Sequence, residues 1–140
     1  MRFWDSSALL PLCLTQPRTP GARSALTEDP ELVVWWGSSI ECASAIARVH
    51  RDGLLTADQE FTARELLGAL RESWFEIQPG DGVREQALRL LRVHPLRAGD
   101  ALQLAAALEW AGTPPPPNGV FMTLDERLRV AAHREGFRAP

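Results

Sequence analysis

Short runs of β-branched and aromatic residues, each closed by breakers and separated by stretches of helical periodicity, constrain this chain more than any other feature. Four such runs read as strands: Arg2-Phe3-Trp4, Leu32 to Trp36, Phe75-Glu76-Ile77 and Val120 to Thr123. Between them apolar residues recur at helical spacing. Phe61, Leu66, Leu67, Leu70 and Trp74 form one stripe, and Val83, Ala87, Leu88 and Leu91 a second. Leu124, Leu128, Ala131 and Ala132 form a third, opposite Glu126, Arg127, Arg129 and Arg134. Strands alternating with helices predict crossovers and a parallel sheet. The expected fold is therefore α/β, a three-layer α/β/α sandwich with a short central parallel sheet of four to five strands and helices on both faces. Breaks are expected at Pro17 to Gly21, at Gly53, at Pro79 to Gly82 and at Pro114 to Gly119. The last, with four consecutive prolines, reads as a stiff surface loop. With 140 residues, 45% of them hydrophobic, the chain reads as one domain over residues 1–140 with a real core.

Four acids fall where such a fold places its ligands. Asp5 ends the first strand in Phe3-Trp4-Asp5-Ser6-Ser7, and Glu41 follows the second in Ser38-Ser39-Ile40-Glu41. Asp100 stands early in a helix in Arg97-Ala98-Gly99-Asp100-Ala101, and Asp125 follows the last strand in Thr123-Leu124-Asp125. Each has a purely structural reading. Asp5 and Asp125 suit helix N-caps, Ser38 with Glu41 matches a capping box, and Asp100 complements a helix dipole. Asp100 resists that reading most. From Ala101 to Leu108 the only polar side chain is Gln103, so the helix is buried and an acid at its start needs a partner. A metal ion is one such partner and Arg97 the alternative. Taken together, acids at the C-terminal ends of parallel strands share one sheet edge, where ligands bind. Two carboxylates about 4 Å apart repel by roughly 4 kcal/mol at an effective dielectric of about 20, so a cluster calls for a cation. Oxygen ligands select Mg²⁺ or Mn²⁺. Zinc does not fit, because His50, His94 and His133 are scattered singletons.

Charge and residue usage narrow the chemistry. All fifteen cationic residues are Arg, which excludes a lysine nucleophile, Schiff base or phosphate clamp. A net charge of -3 does not fit a protein that coats nucleic acid non-specifically, though a metal-filled acidic site coexists with local Arg patches. Cys13 and Cys42 lack zinc spacing and read as buried small hydrophobes in a reducing cytoplasm. The apolar run Ala8 to Leu14 is short, holds Pro11 and follows Asp5, which makes a poor signal peptide. No stretch approaches the roughly 18 apolar residues of a membrane span, so no membrane association is expected.

The motifs resemble those of the PIN-domain family, from Arg2 to about Phe137. Phe3-Trp4-Asp5-Ser6-Ser7-Ala8-Leu9 resembles its first acidic motif, and Ser38-Ser39-Ile40-Glu41-Cys42-Ala43 its second. Asp100-Ala101-Leu102-Gln103-Leu104-Ala105 resembles the third, and Thr123-Leu124-Asp125-Glu126-Arg127-Leu128 the fourth. The size resembles the compact VapC-type toxins of toxin–antitoxin pairs. The resemblance implies a metal-dependent endoribonuclease, a cognate antitoxin that blocks the site, and a homodimer. It implies Asp5 and Asp100 as direct Mg²⁺ or Mn²⁺ ligands, with Glu41 and Asp125 completing the acidic pocket. Ser7 and Thr123 then orient acids or metal waters, or serve helix starts. The family's usual fifth strand has little sequence left here, since the chain closes on Gly136-Phe137-Arg138-Ala139-Pro140.

Other residues carry two readings each. Arg48, seven residues after Glu41, suits RNA phosphate or, preferably, a structural ion pair. Trp4, Trp35, Trp36, Trp74 and Trp110 suit base stacking, with core or dimer packing preferred for Trp4, Trp35 and Trp36. Receiver domains and haloacid-dehalogenase-like phosphatases share the layout of acids but rely on a lysine that is absent. No P-loop motif is present. The remaining competitors are a non-catalytic PIN-like binding module and a DNA-directed nuclease.

Overall fold

The structure, a computed structural model, describes all of residues 1–140. Alternation along its strands creates two cores. In β1 (Arg2–Trp4) Phe3 faces one side and Trp4 the other. In β2 (Leu32–Trp35) Val33 and Trp35 share the face of Phe3, while Leu32 and Val34 share that of Trp4. A sheet buried on both faces reads as a nearly continuous apolar run, as Leu32 to Trp35 does. With β3 (Phe75–Ile77) and β4 (Phe121–Met122) these strands form one parallel sheet in the order β3-β2-β1-β4.

The Trp4 face is covered by α1 (Ser6–Cys13), α2 (Thr19–Glu28), α3 (Ser38–Arg51) and α4 (Ala57–Ser73). The Phe3 face is covered by α5 (Asp81–Val93), α6 (Ala98–Ala111) and α7 (Glu126–Arg134). The expected three-layer α/β/α arrangement is thus observed. No helix is long and apolar enough to cross a membrane.

Several local expectations change. The predicted break at Pro17 to Gly21 holds the start of α2, with Pro20 in its first turn, where a missing N–H costs nothing. Thr19 anchors that start by donating to the carbonyls of Pro11 and Leu14. In α4 the buried positions are Ala63 and Leu67, while Phe61 and Leu66 are exposed. In α5 they are Val83, Ala87 and Leu90, with Leu88 and Leu91 exposed. Leu124 also lies outside the α7 stripe and faces solvent. α4 and α5 each bury an alanine, Ala63 and Ala87, in the contact with neighbouring helices, α4 with α1 and α3 and α5 with α6, which a count of large hydrophobes overlooks. The fifth strand is reduced to one parallel bridge, Val120 with Arg138.

Candidate functional site

Asp5 begins where β1 stops. Its N–H donates to the Met122 carbonyl at 3.0 Å, carrying the β1–β4 ladder one residue further. Its side chain then caps α1 through the Ser7 N–H at 3.3 Å. Two hydroxyls, from Ser7 and from Thr123 (2.6 Å), donate to the same oxygen, Oδ2. Their orientation is set by backbone N–H groups before α7. Leu124 N donates to Ser7 Oγ at 2.8 Å and Asp125 N to Thr123 Oγ1 at 3.1 Å. The hydroxyl hydrogens are thereby left to the carboxylate. Asp5 is 5% exposed. Burial pushes its carboxyl up to about 6, the Ser7 and Thr123 hydrogen bonds draw it back, and the negative charge of Glu41 adds to the rise.

Glu41 sits in the first turn of α3, but the predicted capping box does not form. Gly37, not Ser38, is the N-cap, and no side chain caps the helix. Gly37 lies against the Trp35 indole, where a Cβ would fall 2.6 Å from Nε1. The Glu41 side chain turns instead to Ser6 and Gln103. Ser6 Oγ donates to its Oε2 at 2.6 Å and Gln103 Nε2 at 3.0 Å. The Gln103 amide also reaches Ser6 Oγ at 2.7 Å and Ser38 Oγ at 3.1 Å.

Asp125 caps α7, with Oδ1 accepting from Leu128 N at 3.0 Å. Thr123 ties it to Asp5. Asp100, half-buried in the first turn of α6, accepts the Arg97 N–H on Oδ2 at 3.3 Å. The Arg97 guanidinium makes no ion pair with it; the backbone N–H is the partner that Asp100 finds. The start of α6 adjoins Glu41, since a Cβ on Gly99 would lie 3.8 Å from Glu41 Oε1.

The structure therefore links Asp5, Ser7, Thr123 and Asp125 by hydrogen bonds, brings Glu41 close enough for its charge to act on Asp5, and brings the helix start that carries Asp100 beside Glu41. No three His, Cys, Asp or Glu side chains converge as a ready-made ligand set. Each of the four acids nevertheless binds the protein chiefly through one oxygen. Glu41 Oε1, Asp100 Oδ1 and Asp125 Oδ2 accept no protein hydrogen bond, and Asp5 Oδ1 accepts only the long one from Ser7 N. An all-oxygen set with free lone pairs and a buried, hard-to-hold charge fits a hard divalent cation.

Sequence reasoning missed Ser6, Ser38 and Gln103 as site residues. The signal was present in Gln103, a lone amide in an otherwise apolar helix. Arg48 is exposed and joins none of the arginine ion pairs, contrary to the preferred structural pairing. Trp4 and Trp35 are core residues as expected, whereas Trp36 is 44% exposed. His94 is buried and held by Glu135 at 2.6 Å, while His50 and His133 lie at the surface. Cys13 and Cys42 are buried thiols. Burial pushes Cys13 up to about 11 and Cys42 higher still, so neither is a nucleophile.

The chain matches no protein-family profile. It matches none of the curated proteins. Among solved structures it is similar to PAE2754 from Pyrobaculum aerophilum, with 20% identity and a TM-score of 0.69 over 99% of this chain and 87% of that one. At that identity the likeness concerns the fold alone.

Proposed function

We propose that the protein is a Mg²⁺- or Mn²⁺-dependent endoribonuclease of the PIN type, the toxin of a toxin–antitoxin pair. The observation that carries this reading is the division of labour within each acid: one oxygen is held chiefly by the protein, and the other accepts no protein hydrogen bond or, in Asp5, a single long one. Asp5 is the anchor, its Oδ2 held by two oriented hydroxyls and its Oδ1 engaged only by the 3.3 Å bond from Ser7 N. Asp100 would join it as a ligand through Oδ1, the oxygen that its bond to Arg97 N leaves free. Glu41 and Asp125 complete the negative pocket. When bound, the cation neutralises these carboxylates and supplies positive charge to the scissile phosphate. Glu41, held by Ser6 and Gln103 on Oε2, would turn Oε1 to the cation's side, where its charge adds to the hold on the cation and its lone pair accepts the proton of the attacking water. The partners this reading entails are an RNA substrate, a cognate antitoxin across the pocket and a second copy of the chain.

A second reading is a non-catalytic binding module of the same fold. The caps made by Asp5 and Asp125 favour it, because both serve helices without any metal. Incubation of purified protein with mixed RNA, with and without Mn²⁺, separates the two. Metal-dependent cleavage is expected from wild type and is expected to be lost in Asp5→Asn and Asp100→Asn, although Asn caps a helix about as well as Asp. Cleavage by neither wild type nor variants selects the binding module. Cleavage of competing DNA in preference to RNA changes the substrate class.

A further inference from the structure

Gln103 stands alone in α6. Its neighbours Ala101, Leu104, Ala105, Ala106, Ala107 and Leu108 are apolar and buried, and Gln103 itself is 1% exposed. A buried amide is costly unless its hydrogen bonds are made. Here they are, and they converge. Nε2 lies 2.7 Å from Ser6 Oγ, 3.0 Å from Glu41 Oε2 and 3.1 Å from Ser38 Oγ, and Ser38 Oγ lies 3.3 Å from Oε1. Ser6 spends its own hydrogen on Glu41 Oε2. The opposite amide orientation would set a carbonyl oxygen 3.0 Å from a carboxylate, so the NH₂ must face Glu41.

Three helices meet in this contact. Ser6 opens α1, Ser38 and Glu41 lie in the first turn of α3, and Gln103 lies in α6. α1 and α3 cover one face of the sheet and α6 the other, so the amide reaches round the sheet edge. We infer that Gln103 is a positioning residue for Glu41: with Ser6 it fixes Oε2 and thereby aims Oε1 into the acidic pocket. This rests on the metal-nuclease reading above. Hydrogen bonds that orient a metal-site carboxylate typically change metal affinity by about 10- to 100-fold when removed.

The experiment is Mn²⁺ binding by calorimetry, well below the melting temperature, for the full chain and three variants. Gln103→Leu keeps the apolar character of α6 and removes the amide. Its Kd for Mn²⁺ should rise about tenfold, with kcat for RNA falling more than KM changes. Ser6→Ala leaves α6 untouched and should weaken Mn²⁺ binding in the same direction by less. In a Glu41→Gln background Gln103→Leu should add no further loss, because the group it acts through is already altered. A Gln103→Leu protein that binds Mn²⁺ like wild type, or one whose loss is undiminished in the Glu41→Gln background, overturns the positioning role while leaving the nuclease reading standing. If Gln103→Leu does not fold, unchanged Mn²⁺ binding by Ser6→Ala overturns it. Wild type that neither binds Mn²⁺ nor cleaves RNA overturns the nuclease reading itself, and the positioning role with it.

Discussion

At position 41 a glutamine can keep the hydrogen bonds that the carboxylate accepts, since its carbonyl can take those from Ser6 and Gln103. What it cannot keep is the charge. Glu41→Gln should therefore fold normally, with apo stability unchanged or slightly raised by relief of the repulsion with Asp5. Cleavage should fall by about a hundredfold or more, as expected for loss of an acid–base group. Melting curves beside RNA cleavage assays read both, and wild-type cleavage would confine Glu41 to a structural role. The acid itself was legible because it follows a strand. Its partners were not, since Ser6 and Gln103 lie 97 residues apart in sequence and only packing brings them together. Arg48 was misread for the converse reason: helical spacing puts it on the face of Glu41, but spacing cannot say whether an acid stands opposite.

The elements depend on one close approach at the end of β2. Gly37 is the N-cap of α3 and leaves room for the Trp35 indole, whose Nε1 would lie 2.6 Å from an added Cβ and Cδ1 3.0 Å. Trp35 is 6% exposed and packs edge-on against Trp36, so its ring has little room to retreat. Gly37→Ala should cost about 1–3 kcal/mol, the usual range for overpacking. It should also shift the start of α3, and with it Glu41, so that cleavage falls even at temperatures where the variant is folded. Wild-type melting and activity would mean that the indole moves freely. No sequence pattern announces this contact, because Ser38-Ser39-Ile40-Glu41 offers a plausible capping box that the chain does not use. The strands were legible for a simple physical reason: each is buried on both faces or bounded by breakers. α2 was not, because Thr19-Pro20-Gly21 read as a break when proline in fact suits a first helical turn. The helical stripes of α4 and α5 were misplaced because alanines, not the larger Phe61 and Leu88, meet the neighbouring helices.

For the whole molecule, Asp5 sets one pH dependence and Glu135 the opposite one, with Asp29, lowered by its hydrogen bond to the N-terminal ammonium, acting in the same direction as Glu135 from a more exposed place. Asp5 has its folded pKa raised from 3.8 to about 6, chiefly by burial. Its contribution is fully favourable below about pH 4 and is lost as pH rises through 6, by about 3 kcal/mol at 1.36 kcal/mol per pKa unit. Glu135 joins the end of α7 to the end of α5 through Arg89 (2.6 and 3.2 Å) and His94 (2.6 Å). Burial pushes its carboxyl up, but the hydrogen bonds and charges of Arg89 and His94 more than reverse this and leave it lowered. Its contribution is present above about pH 4.5 and is lost as pH falls through its lowered value. From these groups the metal-free protein should be most stable in mild acid and weaken toward neutrality. A cation bound only by the folded state should reverse the weakening by mass action, adding roughly 2.7 kcal/mol at a hundredfold excess over Kd. Asp5→Asn should remove the decline between pH 4 and 7, retain the loss at low pH that belongs to Glu135 and Asp29, and respond little to Mn²⁺. Melting curves from pH 3.5 to 8, with Mn²⁺ or with a chelator, measure all three effects. If Asp5→Asn and wild type share one chelated profile, Asp5 carries no strained charge. If Mn²⁺ leaves the wild-type profile unmoved, the cation has no place at this sheet edge.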